Sequence, residues 1–160
     1  MNIPFEDNAF DSIVSFQVFE HVEDLERCIK ELKRVIRPKG KMMITLPFIN
    51  REHMLPYDFR RWTCNGINNE LAKHGFSVLE TKKLSNMYTI LATCITWKLK
   101  MIRRFIAKTL ILFPFYMVIN FTIAFIINIF GIFFSSIPGK EYYSDIFVLC
   151  ELSEVSEKCS

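Results

Sequence analysis

Between Thr109 and Ile137 the sequence has no charged residue at all, a lack that separates this stretch from a first hundred positions rich in charge and pattern. Other absences narrow the field further. The five cysteines (Cys28, Cys64, Cys94, Cys150 and Cys159) are odd in number and show no C-x-x-C spacing. That excludes a cysteine-based metal site and a disulfide frame, and no metal is expected. With no signal-peptide pattern at the front, a reducing compartment is expected. The net charge is only +3, and the basic residues form no long tract outside Lys98 to Lys108, so nucleic acid is excluded as a partner. No repeat or low-complexity tract occurs.

What remains is a chain of 160 residues with 51% hydrophobic content, the size of one ordinary domain and apolar enough to bury a core. "DSIVSFQV" (Asp11 to Val18) is a short β-branched and aromatic run of the kind that forms a central parallel strand buried on both faces. Asp24 can cap a following helix whose apolar positions Leu25, Cys28, Ile29, Leu32, Val35 and Ile36 recur at three and four. Glu26 stands one turn before Lys30, and Pro38 with Gly40 stops the helix. "KMMITLPF" (Lys41 to Phe48) is a second apolar strand, so the three elements form a βαβ unit with parallel strands. Thr63 is the N-cap of a second helix with a stripe of Ile67, Leu71 and Ala72, ended by Gly75 and Phe76. "FSVLETKKL" (Phe76 to Leu84) and "SDIFVLCEL" (Ser144 to Leu152) are further strands, expected to pair with one another. In open parallel sheets ligands lie outside the carboxyl ends of the strands, which selects Phe16 to His21 and Leu46 to His53.

Ile3-Pro4-Phe5, Asp7-Asn8, Phe10-Asp11, Glu20-His21-Val22, Arg34-Val35 and Pro38-x-Gly40 follow one another in order. Together they resemble the region around the fourth and fifth strands of class I S-adenosylmethionine-dependent methyltransferases of the type-11 domain group. "HMLPYDFRRWT" (His53 to Thr63) resembles a segment that precedes the sixth strand in some of these enzymes. The resemblance covers residues 1 to 85 and 141 to 152. It implies an α/β fold: a truncated Rossmann-like methyltransferase sheet, made of a βαβ unit plus C-terminal strands, with a hydrophobic helical insert. The family's glycine-rich loop and two of its acidic cofactor contacts have no counterpart, since none of the five glycines has the needed spacing. The expectation is therefore of a C-terminal portion that binds S-adenosylmethionine only when the missing front half is supplied, by the native chain or by a partner chain. Pro38-Lys39-Gly40 departs from the commoner proline-glycine-glycine, and Gly40 is expected to supply the positive φ of that turn.

By this resemblance Ser15, Phe16 and Gln17 would line the methionine end of the cofactor, with strand packing the alternative for Ser15 and Phe16. His21 and His53 are the candidate catalytic residues, because a histidine titrates near neutrality and can serve a substrate hydroxyl as base. A capping or core hydrogen bond is the other reading of His21, and Glu20 is read as structural. Tyr57, Arg60 and Arg61 are candidate acceptor contacts in a loop that could suit an anionic or polyol group. The alternative is a loop-ordering role, with Asp58 paired to an arginine. Trp62 is read as packing, and His74 as a contact to its helix C-terminus.

The uncharged stretch exceeds the roughly 20 residues that cross a bilayer as a helix. Before it, Thr89, Thr93, Thr96, Lys100 and Arg103 fall opposite Met87, Leu91, Ile95, Ile102 and Phe105, as in an amphipathic helix on a headgroup layer. If Ser144 to Leu152 completes the sheet, the chain must return to the side it left. A re-entrant or shallow hairpin does so, with Pro114, Asn120, Asn128 or Gly131 as bends, and positive flanks keep it on the cytoplasmic face of a membrane. A soluble lid or a dimer surface is the alternative. The expected organisation is a partial core over 1–86, a membrane-associating insert over 87–138, a final strand over 139–152 and a disordered tail over 153–160. The expected function is methyl transfer to a lipid-linked or other small-molecule acceptor; the rival is a non-catalytic membrane-anchoring or interaction module.

Overall fold

The computed structural model describes residues 2–106, 113–135 and 141–153, which divide into two compact units, 1–84 with 144–160 and 85–143. In the first unit, strand β1 (Phe10–Phe16) leads through a 3-10 turn (Phe19–His21) into helix α1 (Leu25–Val35) and strand β2 (Ile36–Pro47). Helix α2 (Cys64–Lys73), strand β3 (Phe76–Leu84) and strand β4 (Asp145–Leu152) complete it. The helices start where the caps require. The Asp24 carboxylate accepts from the Arg27 amide at 3.0 Å, and the Thr63 hydroxyl accepts from the Gly66 amide at 3.0 Å. Gly75, at a φ of +88°, turns the chain from α2 into β3.

β1 and β2 run parallel, with Ile13 beside Met42 and Phe16 beside Thr45. The sheet order is β1-β2-β4-β3, with β4 antiparallel to both neighbours. One face of the sheet is fully covered: Met42, Ile44, Leu46, Ile146, Val148 and Cys150 have no exposed surface. Leu25, Cys28, Ile29 and Val35 of α1 and Ile67 and Leu71 of α2 are buried with them. Each such large side chain contributes about 1.5–3 kcal/mol of transfer free energy. Burial also pushes the Cys150 thiol up to about 12, which leaves it unreactive.

Arg34 explains why the family words travel together. Its guanidinium donates to the carbonyls of Ile3 and Phe5 and to the carboxylates of Asp7 and Glu31, fastening residues 3–7 to α1.

Four details differ from the sequence reading. β1 is an edge strand, not a central one, and Val14 and Phe16 are 55% and 56% exposed, because no described element covers that face. Ala72 is exposed, so the buried stripe of α2 is Ile67 and Leu71 alone. His74 stands at the C-terminus of α2 as expected, but with Glu70 also 3.5 Å from its ring. Finally, α1 passes directly into β2, and the positive φ at the Pro38-Lys39-Gly40 bulge (+62°) belongs to Lys39. Gly40 is needed for room instead: a Cβ there would stand 2.6 Å from Ile36 Cγ1 and 2.8 Å from the Arg37 carbonyl oxygen. Gly40→Ala is therefore expected to destabilise the fold by about 1–3 kcal/mol, as overpacking does. Chemical denaturation of the two proteins would measure it, and equal midpoints would show that the bulge relaxes freely.

The second unit is a pair of helices, α3 (Met87–Ile106) and α4 (Phe113–Ser135). Asn86 caps α3 by accepting from the Thr89 amide at 3.1 Å. The pair is antiparallel: Tyr88 stacks on Phe134 at 5.1 Å at one end, and the Tyr116 hydroxyl donates to the Leu99 carbonyl at the other. Ala92 and Gly131 pack in the middle, where a Cβ on Gly131 would meet the Ala92 methyl at 3.9 Å. Asn120, Asn128 and Gly131 are not bends. α4 runs unbroken through them, with the Asn120 amide on the Tyr116 hydroxyl (2.9 Å) and the Asn128 amide on the Ala124 carbonyl (2.8 Å). Pro114 sits in the first turn of α4, where a missing N–H costs nothing. The side chains of Lys100, Ile102, Arg103 and Phe105, the ends of the uncharged stretch at 109–112 and 136–137, and the tail from 154 lie outside the described residues.

Candidate functional site

The site lies where β1 and β2 end. Gln17 takes a φ of +52°, which stops β1 and redirects the chain. Its amide donates to the Thr45 carbonyl at 3.0 Å and its side chain donates to Asp145 Oδ1 at 3.1 Å. β1, β2 and β4 are thus joined at one corner. Ser15 is half-buried on the covered face and Phe16 stands on the open face, as strand alternation requires.

The 3-10 turn that follows buries Phe19 and Glu20 and leaves His21 half-buried. The loop after β2 folds back onto this turn. Phe59 donates its amide to the Glu20 carbonyl at 2.8 Å, and Arg60 donates to the carbonyls of Val22 and Glu23 at 2.7 and 2.8 Å. Asp58, buried within the loop, accepts two bonds from Arg61 (2.6 and 2.8 Å) and one from the His53 amide (2.9 Å). These contacts, led by Arg61, hold the Asp58 carboxyl well below the usual carboxylate range. Both arginines therefore order the loop, while the Tyr57 ring is exposed and its carbonyl faces His21.

The result brings His21 and His53 together, edge to face at 4.7 Å between ring centroids, with their Nε2 atoms 3.1 Å apart. Each Nδ1 faces a backbone carbonyl, that of Tyr57 for His21 (2.5 Å) and that of Arg51 for His53 (3.2 Å). Behind them Glu20 is wholly buried, with Oε1 3.7 Å from His21 Nε2 and neither carboxylate oxygen hydrogen-bonded among the described residues. Burial raises its carboxyl pKa. Sequence reasoning read Glu20 as structural, without its contact to His21, and did not single out Asp145. Asp145 opens a strand and gives no usable signal.

Residues 1–44 match the methyltransferase domain family. The chain is 33% identical over 72 residues to 2-phytyl-1,4-naphtoquinone methyltransferase of Trichormus variabilis, covering 45% of this chain and 31% of that protein. It is 41% identical over 46 residues to glycine/sarcosine/dimethylglycine N-methyltransferase of Actinopolyspora halophila, covering 29% and 8%. Among solved structures it superposes on an S-adenosylmethionine-dependent methyltransferase from Mesorhizobium loti with a TM-score of 0.51 at 13% identity, covering 94% of this chain and 64% of that one. The cyclase SpnF gives a TM-score of 0.58 at 18% identity, covering 95% and 53%. Over the residues compared, the chain is thus similar to part of an S-adenosylmethionine-dependent methyltransferase domain, and its fold is the Rossmann-like α/β fold of such enzymes. It spans less than a third of the length of these curated relatives.

Proposed function

We propose that this chain forms the acceptor side of an S-adenosylmethionine-dependent methyltransferase that works at the cytoplasmic face of a membrane, on a lipid-linked or other small-molecule acceptor. The observation that carries the reading is the convergence of the Gln17 corner, His21 and His53 outside the carboxyl ends of two parallel strands, where open α/β sheets bind ligands.

The residues present fit one end of the cofactor. Ser15, Phe16 and Gln17 offer a strand terminus with an open face, suited to the methionine portion. No described glycine forms an anion-cradling turn, because Gly40 fills a bulge, Gly66 and Gly131 lie in helices and Gly75 ends one. When bound, the sulfonium supplies an activated methyl group. The chain's part is to align an acceptor and keep out water, with the paired imidazoles ready to hold an acceptor hydroxyl or amine and to take its proton at Nε2.

The second unit supports the membrane part of the reading. Pro114 to Phe134 has a mean hydropathy of 2.3 and only 6% of its best window is buried. Met87, Leu91 and Ile95 of α3 point outward, whereas Thr89, Thr93 and Thr96 line the groove beside α4. Thr93 and Thr96 return their hydroxyls to the carbonyls of Thr89 and Ala92 at 2.8 and 2.6 Å. Exposed apolar side chains on both helices suit contact with lipid, and among the described residues α4 alone is long and apolar enough to cross a bilayer.

The test is a fusion. A strand, glycine-rich loop and helix from a related methyltransferase placed upstream of residue 2 are expected to give S-adenosylmethionine binding by calorimetry, in the ordinary ligand range of about 1 µM–1 mM. The unfused chain is expected to give none. A folded fusion without measurable binding would sink the reading.

A further inference from the structure

We propose that Glu20, His21 and His53 form a site for a divalent transition-metal ion. Carbonyl oxygens only accept, so the Tyr57 and Arg51 carbonyls place the proton of each neutral imidazole on Nδ1. In that tautomer each Nε2 carries a lone pair, and the two nitrogens stand 3.1 Å apart. Beside them lies a fully buried carboxylate whose oxygens have no hydrogen-bond partner among the described residues. With Glu20 ionised, three electron-pair donors meet at one point without a proton to share, a state that burial disfavours and that costs several kcal/mol.

A single cation resolves all three. Two nitrogen ligands at 2.0–2.1 Å from one ion stand about 2.9 Å apart at a right angle and about 3.4 Å apart in a tetrahedron. The observed 3.1 Å falls between these limits. The three ligand atoms lie within 4.8 Å of one another, so a shift of the Glu20 side chain of about 1 Å brings its oxygen into the shell. Two imidazoles and one carboxylate suit zinc, cobalt or ferrous iron rather than magnesium or calcium. The surroundings are those of a supported site: the Tyr57 carbonyl holds the His21 ring, and Asp58 stands 3.4 Å from His53 Nδ1 while also holding the His53 amide. With an ion bound, both Nε2 lone pairs are occupied, and the open positions of the ion, in place of the imidazoles, would take water or an acceptor oxygen. This inference requires no methyl transfer and no cofactor.

The experiment uses the full chain in detergent, stripped with chelator and titrated with Co2+ and Zn2+ alone. Expected are visible ligand-field bands with Co2+ and one Zn2+ per chain in competition with a chromophoric chelator. Glu20→Gln and His53→Ala should each abolish the bands and weaken Zn2+ binding by at least about tenfold. The sequence holds only three histidines, so His74→Ala, outside the cluster, serves as the control and should change nothing. Circular dichroism checks that each variant is folded. Should Glu20→Gln misfold, His53→Ala alone decides, since His53 sits half-exposed on a loop. Absence of bands in the unaltered chain, or the same affinity in folded His53→Ala, would overturn the site and leave a proton shared between the two imidazoles as the account of their approach.

Discussion

Replacing residues 85–143 by Asn-Gly is expected to move the protein from the membrane pellet to the supernatant with its sheet intact. Leu84 and Asp145 are register partners of the antiparallel β3–β4 pair, and the Ser144 amide donates to the Leu84 carbonyl at 3.2 Å. The two strand ends are therefore as close as those of a hairpin, and Asn-Gly followed by Ser144 makes a three-residue loop of a common kind. What is removed is a helix pair that presents Phe115, Phe121, Ile132 and Phe133 almost bare to its surroundings. Fractionation without detergent, together with circular dichroism of the soluble product, reads both halves of the expectation. A shortened protein that is folded yet stays in the pellet would refute the membrane reading.

Arg61→Ala is expected to destabilise the first unit by about 3 kcal/mol, more than Asp58→Ala. The asymmetry follows from burial. Removing Arg61 leaves a carboxylate with almost no exposed surface and only His53, through its amide and its ring, beside it among the described residues, whereas removing Asp58 leaves a guanidinium that is 23% exposed and bonded to two carbonyls. The double variant should cost less than the sum of the two, as coupled partners do. The pH dependence has a definite sign. The Asp58 carboxyl is held below its ordinary 3.8, so its contribution is fully present above that pH and is lost as the pH falls through the folded value. Arg61→Ala should remove that acid-labile part. Equal costs for the two single variants, from denaturation midpoints at neutral pH, would show that the loop is held by something else.

Local signals in the sequence carried far. Asp24 and Thr63 cap their helices because a short oxygen-bearing side chain before an apolar periodicity has little else to do. The parallel pairing of β1 with β2 follows from the helix between them. Long-range facts were not legible. That β4 enters between β2 and β3 depends on partners about a hundred positions away for β2, and nothing within "SDIFVLCEL" names them. The edge position of β1 was missed for the same reason, since an apolar run looks alike with one face covered or two. At the site, the histidines could be singled out by chemistry. The burial of Glu20, and the use of Arg60 and Arg61 on carbonyls and Asp58, exist only once the loop has folded back. Asn120, Asn128 and Gly131 look like helix breakers in water, yet in α4 two are satisfied by the turn before and one makes room for Ala92.

The strand order β1-β2-β4-β3 also sets a timetable. During synthesis β1, α1, β2, α2 and β3 emerge in that order, but among the described strands β3 has no neighbour in the sheet until β4 arrives, and β4 is made after both long helices. Both long helices leave the ribosome before then. The helix pair must find its own surroundings while β2 and β3 still show unpaired edges, and the final eight-residue strand closes the sheet only afterwards. A ribosome that stalls before Asp145 would release a chain whose helices are complete and whose sheet is open, the form of this protein most exposed to aggregation.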